Sequence, residues 1–302
     1  MDIPSEIDSD APRPRQGMDT APTFPLRPVL CRAAYPILLL AVVSATVVTL
    51  RYRLDFGQIS VFFLIGTIVY LAALERLIPY DSGWHPNRGE WGWYGVYFLL
   101  TLLGGGLAQL SVMAVVGAVS PPDPVLVLWA EIPLALLLRS LACYLVHRFG
   151  HTRRWLWRLH GVHHVPEKVN VANNGVNHIL DVMLGKGVAQ LALAVAGFSQ
   201  ESVFVVGLFT IAQGYFVHAN IDVRIGRLNY VLASPEQHRL HHSTDLSEAG
   251  HYGSDLSIWD LMFRSFTWHS GREPAAVGLQ DPTSFPRTGA VVASLLHPWR
   301  RS

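Results

Sequence analysis

Residues 147–164 read HRFGHTRRWLWRLHGVHH and place five histidines directly after an apolar run. A second stretch, residues 234–242, reads SPEQHRLHH and repeats the H-x-x-H-H spacing. Positions i, i+3 and i+4 of a helix share one face, so this spacing points the three imidazoles of each motif in one direction. The pair His147 and His151 follows the same rule. The two stretches therefore predict a single site built where an apolar helix ends.

Eleven of the fourteen histidines lie between positions 147 and 251. Ten of these are candidate metal ligands, namely His147, His151, His160, His163, His164, His178, His218, His238, His241 and His242. Imidazoles buried close together are costly unless a positive ion replaces their protons. Neutral imidazole suits iron, zinc, copper and nickel. Ten ligands are too many for one four- or six-coordinate ion, so the set predicts two ions that share a site.

Carboxylates near these motifs are candidates to orient the imidazoles, although each could equally be a helix cap or a solvated charge. They are Glu167, Asp181, Asp222, Glu236, Asp255 and Asp260. His85, His269 and His297 stand alone and are interpreted as surface or interfacial residues. The basic and aromatic segment 153–158 is interpreted as a membrane-interface anchor.

Composition favours a membrane protein. Half of the 302 residues are apolar, 15% are charged, and the mean hydropathy is +0.28, whereas soluble domains carry more charge. The formal charge of +1 gives no basic field, so nucleic acid is not an expected partner. Cys31 and Cys143 have neither C-x-x-C spacing nor the number that a disulfide framework needs.

Hydropathy predicts an all-α integral membrane fold. Four apolar runs approach the length of about 20 residues that crosses a bilayer, at residues 33–50, 56–74, 91–119 and 125–146. A fifth region, residues 182–217, is interrupted at 197–201 and is predicted to form a re-entrant or spanning helical hairpin. The prediction is thus about four transmembrane helices plus a hairpin, with a histidine-rich helical catalytic region.

The chain divides into four parts on this interpretation. Residues 1–28 form a disordered tail, 29–146 a transmembrane region, 147–270 the histidine-rich region with its hairpin, and 271–302 a C-terminal tail. Arginines and one lysine gather before the first span, between the second and third, and after the fourth. By the positive-inside rule the histidine motifs lie on the cytoplasmic side, although Arg51 and Arg53 weakly oppose this orientation.

The order of motifs from about Leu137 to Trp268 resembles the fatty acid hydroxylase or sterol desaturase superfamily of integral-membrane non-haem diiron enzymes. The resemblance rests on seven segments, H147RFGH151, L156WRLHGVHH164, N177HILD181, H218AN220, S234PEQHRLHH242, H251YG253 and S257IWDLMF263. It implies that the ten histidines bind two iron ions, with zinc an alternative occupant of purified protein. It also implies that the spans enclose an apolar cavity, and that O2 is activated to attack a C–H bond of a lipid.

Two positions depart from the family pattern. His251 replaces the usual asparagine of Asn-Tyr-Gly, which leaves three roles open for it: ligating a metal, orienting a ligand, or neither. Phe263-Arg264-Ser265 replaces the usual Phe-Gly-Thr.

The sequence therefore predicts a membrane-bound monooxygenase that hydroxylates a fatty acyl, sterol or carotenoid-like substrate with O2. No dinucleotide, flavin, iron–sulfur or cytochrome motif is visible, which implies an external electron donor such as a ferredoxin or a cytochrome with its reductase. Three alternatives stay open: a desaturase of the same family, a haem-binding electron carrier that uses paired histidines, and a zinc-binding membrane scaffold or hydrolase.

Overall fold

The computed structural model describes residues 24–121 and 126–300, and this part of the chain is helical, with three isolated β-bridges and no strand. Its α-helices are α1 Arg27–Tyr52, α2 Phe56–Leu77, α3 Arg88–Val119, α4 Leu128–Thr152, α5 Arg154–His160, α6 Ile179–Val195, α7 Gln200–Val217, α8 Pro235–His241, α9 Ile258–Met262 and α10 Val291–Leu296. Short 3-10 turns cover Ser82–Trp84, Gly161–His164, Val171–Gly175, Gly226–Tyr230 and His297–Trp299.

Helices α1 to α4 are long and apolar enough to cross a membrane, as hydropathy predicted. The first of them begins at Arg27, six residues before the predicted start, with a proline in its first turn where no backbone N–H is needed. Residues 1–23 of the predicted tail lie outside the described residues. The fourth helix continues past the predicted end to Thr152, so His147 and His151 lie on the membrane helix itself.

Helices α6 and α7 form the predicted hairpin, with a tight turn between Val195 and Gln200. Gly197 in this turn has a φ of +72°, and a Cβ there would lie 2.7 Å from Pro121. Glycine is the residue that accepts both conditions. The turn therefore lies beside the end of α3, which is the end of the molecule opposite the histidine motifs.

The helices pack in two groups around α6 and α7. One apolar core joins α1, α2 and α7, where Tyr35 stacks on Phe216 with ring centroids 4.2 Å apart. Tyr35 also donates a hydrogen bond to Gln213, so its buried hydroxyl is satisfied. In the second group, α6 packs between α3 and α4. The outer surfaces of the spans carry large apolar side chains, for example Leu40, Phe62 and Leu99, as expected of helices that face lipid.

The C-terminal segment packs back onto the histidine-rich region. Phe285 is buried against Tyr94, Tyr97 and Val162. A Cβ on Gly161 would lie 2.3 Å from the ring of Phe285, so glycine is required for this close approach. Sequence reasoning assigned no role to residues 271–302, because this contact has no periodic signature.

Candidate metal centre

Nine of the ten predicted histidines converge in two adjacent groups at one end of the helices. The five-histidine cluster is His147, His151, His160, His164 and His241. The four-histidine cluster is His163, His218, His238 and His242. Within each cluster the ligand nitrogens all lie within 4.8 Å of one another. The clusters touch where His164 stacks on His242 with ring centroids 4.3 Å apart, so the two groups form one continuous site.

Local helix chemistry positions each motif. Helix α8 begins with a capping box in which Ser234 and Gln237 satisfy each other's backbone N–H groups. This cap fixes the helix that carries His238 and His241. The first H-x-x-H-H motif instead starts at the end of α5 and continues through the 3-10 turn Gly161–His164, which directs its last two histidines to opposite clusters.

Hydrogen bonds from Nδ1 to backbone carbonyls fix the orientation of four of these rings. The Nδ1 atoms of four histidines lie 2.7 to 3.1 Å from backbone carbonyl oxygens, pairing His147 with Tyr252, His163 with Val176, His218 with Asn170, and His241 with Gly250. A carbonyl only accepts, so each Nδ1 carries the proton and each Nε2 keeps its lone pair. The Nε2 atoms of His147, His151, His218 and His241 are buried without a hydrogen-bond partner. This is the state of an imidazole prepared to ligate a metal.

Two carboxylates support this arrangement. Asp181 lies 3.0 Å from Nδ1 of His160 and accepts a hydrogen bond from it, so Nε2 of this ring also keeps its lone pair for a metal. Glu75 at the end of α2 accepts the backbone N–H groups of Val171 and Asn220. These bonds hold the segment of Asn170 beside the segment of His218, and the carbonyl of Asn170 accepts from Nδ1 of His218. Asp181 was among the predicted orienting residues, whereas the position of Glu75 before the predicted loop gave no signal.

The remaining predicted carboxylates contact no histidine of the two clusters. Asp222 pairs with Arg27, and Glu236 accepts from Asn229. Asp260 acts indirectly, because it accepts the N–H of Tyr252, whose carbonyl receives His147. Asp260 therefore holds the loop that orients a histidine.

Burial depresses the pKa values of six clustered histidines. Burial is the largest cause for His163, His164, His238, His241 and His242, and the charges of neighbouring imidazoles lower each pKa further. Burial likewise lowers the pKa of His218 to about 4. These six rings are therefore neutral at physiological pH, and neutral imidazole is the form that binds a metal ion.

The distances between facing nitrogens fit shared metal ions. Nε2 of His160 lies 3.3 Å from Nε2 of His164, and Nε2 of His238 lies 3.2 Å from Nε2 of His242. Two nitrogens that bind one ion at about 2.1 Å lie roughly 3.0 to 3.4 Å apart at octahedral to tetrahedral angles. Each cluster can thus hold an ion without moving these rings.

The structure does not bring His178 to either cluster. Its Nδ1 accepts the N–H of Leu180 as the cap of α6, and its Nε2 therefore carries the proton and donates to the carbonyl of Leu295, 3.1 Å away. Both nitrogens are engaged by backbone, so neither offers a lone pair to a metal. We leave His178 out of the ligand set and describe it as the residue that joins α6 to the C-terminal segment.

His251 does not reach the clusters either. Its Nε2 accepts the backbone N–H groups of Thr267 and Trp268 at 2.9 and 2.7 Å. Its φ of +59° is a conformation that asparagine and histidine tolerate better than most residues, which fits the asparagine found there in the family pattern. His251 thus closes a loop next to Gly250, whose carbonyl receives His241. Arg264 has a φ of +60°, which explains the glycine usual at that position.

Trp157 on α5 contacts the five-histidine cluster. Its ring centroid lies 5.2 Å from that of His151 and 5.5 Å from that of His164. Trp155, two residues earlier, is 66% exposed and suits the interface role predicted for this segment. Trp157 thus contacts the histidines while Trp155 is exposed, a difference that depends on the fold and not on the sequence motif.

Together, the fold and the site define a multi-pass helical membrane protein with two buried histidine clusters that can bind metal. Residues 132–265 match the sequence profile of the fatty acid hydroxylase family. The matched region contains all ten predicted ligands, and this similarity agrees with the resemblance that the histidine motifs indicated.

Two groups of curated relatives are similar to the chain. The ornithine lipid hydroxylase OlsE of Rhizobium tropici is 28% identical over 288 residues, which cover 88% of this chain and 83% of the relative. Alkylglycerol monooxygenases of Danio rerio and Homo sapiens are 29% and 28% identical over 151 and 141 residues, which cover 49% and 46% of this chain. The chain spans only 33% and 31% of those two relatives. No solved structure matches the chain.

Proposed function

We propose that this protein is a membrane-bound diiron monooxygenase that hydroxylates a C–H bond of a lipid. The observation that carries the proposal is the convergence of nine histidines, seven of them buried, in two clusters at the end of membrane helices. The names of the relatives, a lipid hydroxylase and alkylglycerol monooxygenases, support a lipid substrate and oxygen insertion.

The division into two clusters supports two metal ions. Five and four ligand nitrogens match the coordination that two separate ions require, and the stacked rings of His164 and His242 keep the ions close. Iron bound there would supply O2 activation, which no protein side chain provides. The chain's own contribution is to hold the imidazoles neutral, to fix their Nε2 lone pairs inward through Nδ1, and to keep water from the site.

The proposed orientation places the clusters on the cytoplasmic side, as the arginine distribution predicts. Electrons would come from an external donor, either a ferredoxin or a cytochrome with its reductase. The position of Trp157 supports electron transfer from a donor on the cytoplasmic side. Trp157 contacts the rings of His151 and His164 and lines a surface cleft with a volume of about 530 Å³. A donor that docks at this cleft would be separated from the five-histidine cluster by one aromatic ring.

The packing of the rings argues against the haem alternative. A haem needs a planar slot between its axial ligands, whereas the histidines of both clusters contact one another directly, with ring centroids 4.3 to 5.3 Å apart across many pairs. A desaturase remains the second candidate, because it would use the same ligand geometry and differ only in the fate of the substrate radical.

Lipid mass spectrometry under oxygen-18 gas tests the proposal. Membranes from cells with the wild-type chain should contain a new lipid that carries one oxygen-18 atom. The double variant His163→Ala, His164→Ala removes one ligand from each cluster and should abolish it, whereas His269→Ala, which alters an exposed histidine, should not. A product that has lost two hydrogens without gaining oxygen would instead establish desaturation. Undiminished product in the double variant would overturn the metal-dependent mechanism.

A further inference from the structure

An exposed apolar surface lies beside α4, in a part of the chain that no predicted span includes. Its side chains come from the 3-10 turn Gly226–Tyr230 and the residue after it, and from α9 and the residue after that helix. They are Leu228, Tyr230, Val231, Leu261, Met262 and Phe263, and each is between 38% and 65% exposed. Contiguous apolar patches of this kind mark sites of contact with another protein or with a membrane, so this α9 surface requires a partner.

Contacts between the two parts make the α9 surface continuous. The backbone N–H of Ser257, the residue before α9, donates to the carbonyl of Val231 at 3.0 Å. Tyr230 stacks on Phe266, three residues beyond Phe263, with ring centroids 5.4 Å apart. The turn is therefore fixed against both ends of α9, and the six side chains belong to one surface.

Contacts with α4 place α9 at the level of the membrane. Nε1 of Trp259 on α9 donates to the hydroxyl of Ser140 at 3.0 Å, and that hydroxyl donates to Asp255, which lies just before α9. Ser140 is the middle residue of the candidate span α4 and lies seven residues before His147. This separation is about 10 Å along the helix axis. The first turn of α9 therefore lies on the membrane side of His147.

A second contact holds the turn against membrane helices. Nε2 of Gln213 on α7 donates to the carbonyl of Ala233 at 2.6 Å. Gln213 lies one turn before the end of α7, and its Oε1 accepts from Tyr35 on α1, which is another candidate span. The segment that contains Val231 is therefore packed beside the helices and does not extend into the water beyond their ends.

Arginines lie at the edges of the α9 surface. Arg227 precedes Leu228, Arg264 follows Phe263, and both arginines are exposed. Arg148 on α4 donates to the carbonyl of Phe263 at 3.2 Å. Apolar side chains bordered by arginines are typical of a surface that enters a bilayer as far as its head groups, where the arginines attract lipid phosphates.

We propose that the α9 surface is embedded in the bilayer, with its apolar side chains among the acyl chains and its arginines at the head groups. Continuity with a membrane helix favours lipid over a protein partner, because the exposed Leu137 lies one turn before Ser140 on α4. The inference requires no metal. It gives the histidine-rich region, which hydropathy assigns to the cytoplasm, one side that faces lipid.

The α9 surface is close to the five-histidine cluster. Phe263 stacks on Tyr144 with ring centroids 5.4 Å apart. The ring of Tyr252 lies 6.2 Å from that of Tyr144 and 5.2 Å from that of His151. Lipid in contact with Phe263 is thus separated from the cluster by two aromatic side chains. If the proposed function holds, this surface is where a lipid substrate approaches the metal site from the bilayer.

Fluorescence quenching tests the position of the α9 surface. Met262→Cys, introduced after Cys31→Ser and Cys143→Ser, is labelled with bimane in the full-length protein and reconstituted into phosphatidylcholine vesicles. Phosphatidylcholine with a doxyl group on one acyl chain is the quencher in the bilayer, and iodide on both sides of the vesicle is the quencher in water. Phe62→Cys on the outer surface of α2 is the lipid-facing control, and Ser247→Cys is the water-facing control.

The label at Met262→Cys should lose about as much fluorescence to the doxyl lipid as the label at Phe62→Cys, and little to iodide. Ser247→Cys should show the opposite. Val231→Cys, on the other part of the surface, should respond like Met262→Cys and decides the question if that variant does not fold. The double variant His163→Ala, His164→Ala should lose hydroxylation but keep the quenching pattern, so this proposal and the proposed function fail separately.

Two results would overturn the proposal. Quenching by iodide without quenching by the doxyl lipid would show that the α9 surface is in water. Protection from both quenchers would show that protein covers the surface, and in these vesicles that protein is a second copy of the chain.

Discussion

At the scale of single residues, the state of each imidazole depends on an acceptor that the motif does not contain. His241 offers Nε2 because Gly250 receives its Nδ1 proton, whereas His178 offers neither nitrogen because Leu180 and Leu295 engage both. Identical side chains thus differ in function through backbone partners. A carbonyl has no sequence signature, so spacing alone could not separate these two histidines.

This difference predicts the metal content of two alanine variants. His241→Ala should lose most of the bound iron, because it removes a buried ligand from the five-histidine cluster. His178→Ala should retain the metal, since both of its ring nitrogens form hydrogen bonds with backbone groups. Elemental analysis of purified protein measures both, with His269→Ala as the exposed control. Loss of iron in His178→Ala equal to that in His241→Ala would return His178 to the ligand set.

His251 predicts a distinct pH dependence of stability. Burial lowers its pKa to about 3, below the ordinary histidine value of about 6.5, so between these values the unfolded state binds a proton that the folded state does not. The folded state therefore loses stability as pH falls through this window. For one residue the loss between about pH 7.5 and pH 5 is about 2 kcal/mol.

The variant His251→Asn isolates this contribution. Asparagine tolerates the positive φ, keeps an acceptor oxygen and does not titrate in this range. The drop in melting temperature between the two pH values should be smaller in His251→Asn than in the wild-type protein. The clustered histidines are present in both proteins, so their contribution cancels in the comparison. An identical drop in both proteins would mean that His251 does not stay neutral in the folded state.

At the scale of elements, hydropathy predicts the long membrane helices, whereas contacts between individual residues determine how the helices pack. The predicted spans agree with α1 to α4 within a few residues at most ends, because bilayer thickness demands a long apolar run. The short helices α5, α8 and α9 were not delimited, since their ends depend on tertiary contacts and caps. The packing of α6 between α3 and α4 likewise depends on a glycine that hydropathy does not weigh.

Substitution of Gly104 tests how closely α3 must pack against α6. A Cβ at Gly104 would lie 2.9 Å from the carbonyl oxygen of Ile179 and 3.2 Å from Val182. Gly104→Ala should therefore force α3 away from α6 and destabilise the protein by about 1 to 3 kcal/mol. Gly106→Ala, where nothing lies within 4 Å, should be neutral or stabilising because alanine favours the helix.

Thermal unfolding in detergent compares the two variants. Gly104→Ala should melt below the wild-type protein and Gly106→Ala at or above it. Because the start of α6 also carries Asp181, Gly104→Ala should in addition reduce the iron content. Equal melting temperatures of the two variants would show that α3 can move away from α6 without loss of stability.

At the scale of the whole molecule, the site is assembled from four regions that are far apart in the sequence. The end of α4, the segment after it, the end of α7 and helix α8 each contribute ligands. The sequence predicted that these motifs meet, because imidazoles buried close together are costly unless they share a metal ion. It could not predict the division into five and four, since His163 and His164 are neighbours in sequence and belong to different clusters.

The orientation of the molecule in the membrane is the remaining whole-molecule prediction, and it rests on arginines rather than on contacts. Arginines before α1, at the adjoining ends of α2 and α3, and after α4 predict that the histidine clusters face the cytoplasm, while Arg51 and Arg53 lie on the opposite side. Single cysteines introduced after Cys31→Ser and Cys143→Ser report on this directly. Leu54→Cys lies in the exposed connection between α1 and α2, and Ser247→Cys lies in the exposed segment beyond α8.

An impermeant maleimide applied to intact cells should label Leu54→Cys and leave Ser247→Cys unlabelled until the membrane is permeabilised. Labelling in the reverse order would place the clusters outside the cytoplasm. Arg51 and Arg53 would then be the decisive charges, and an electron donor of the cytoplasm could not reach the cleft beside Trp157. The same two cysteines thus test both the topology and the side from which electrons can enter.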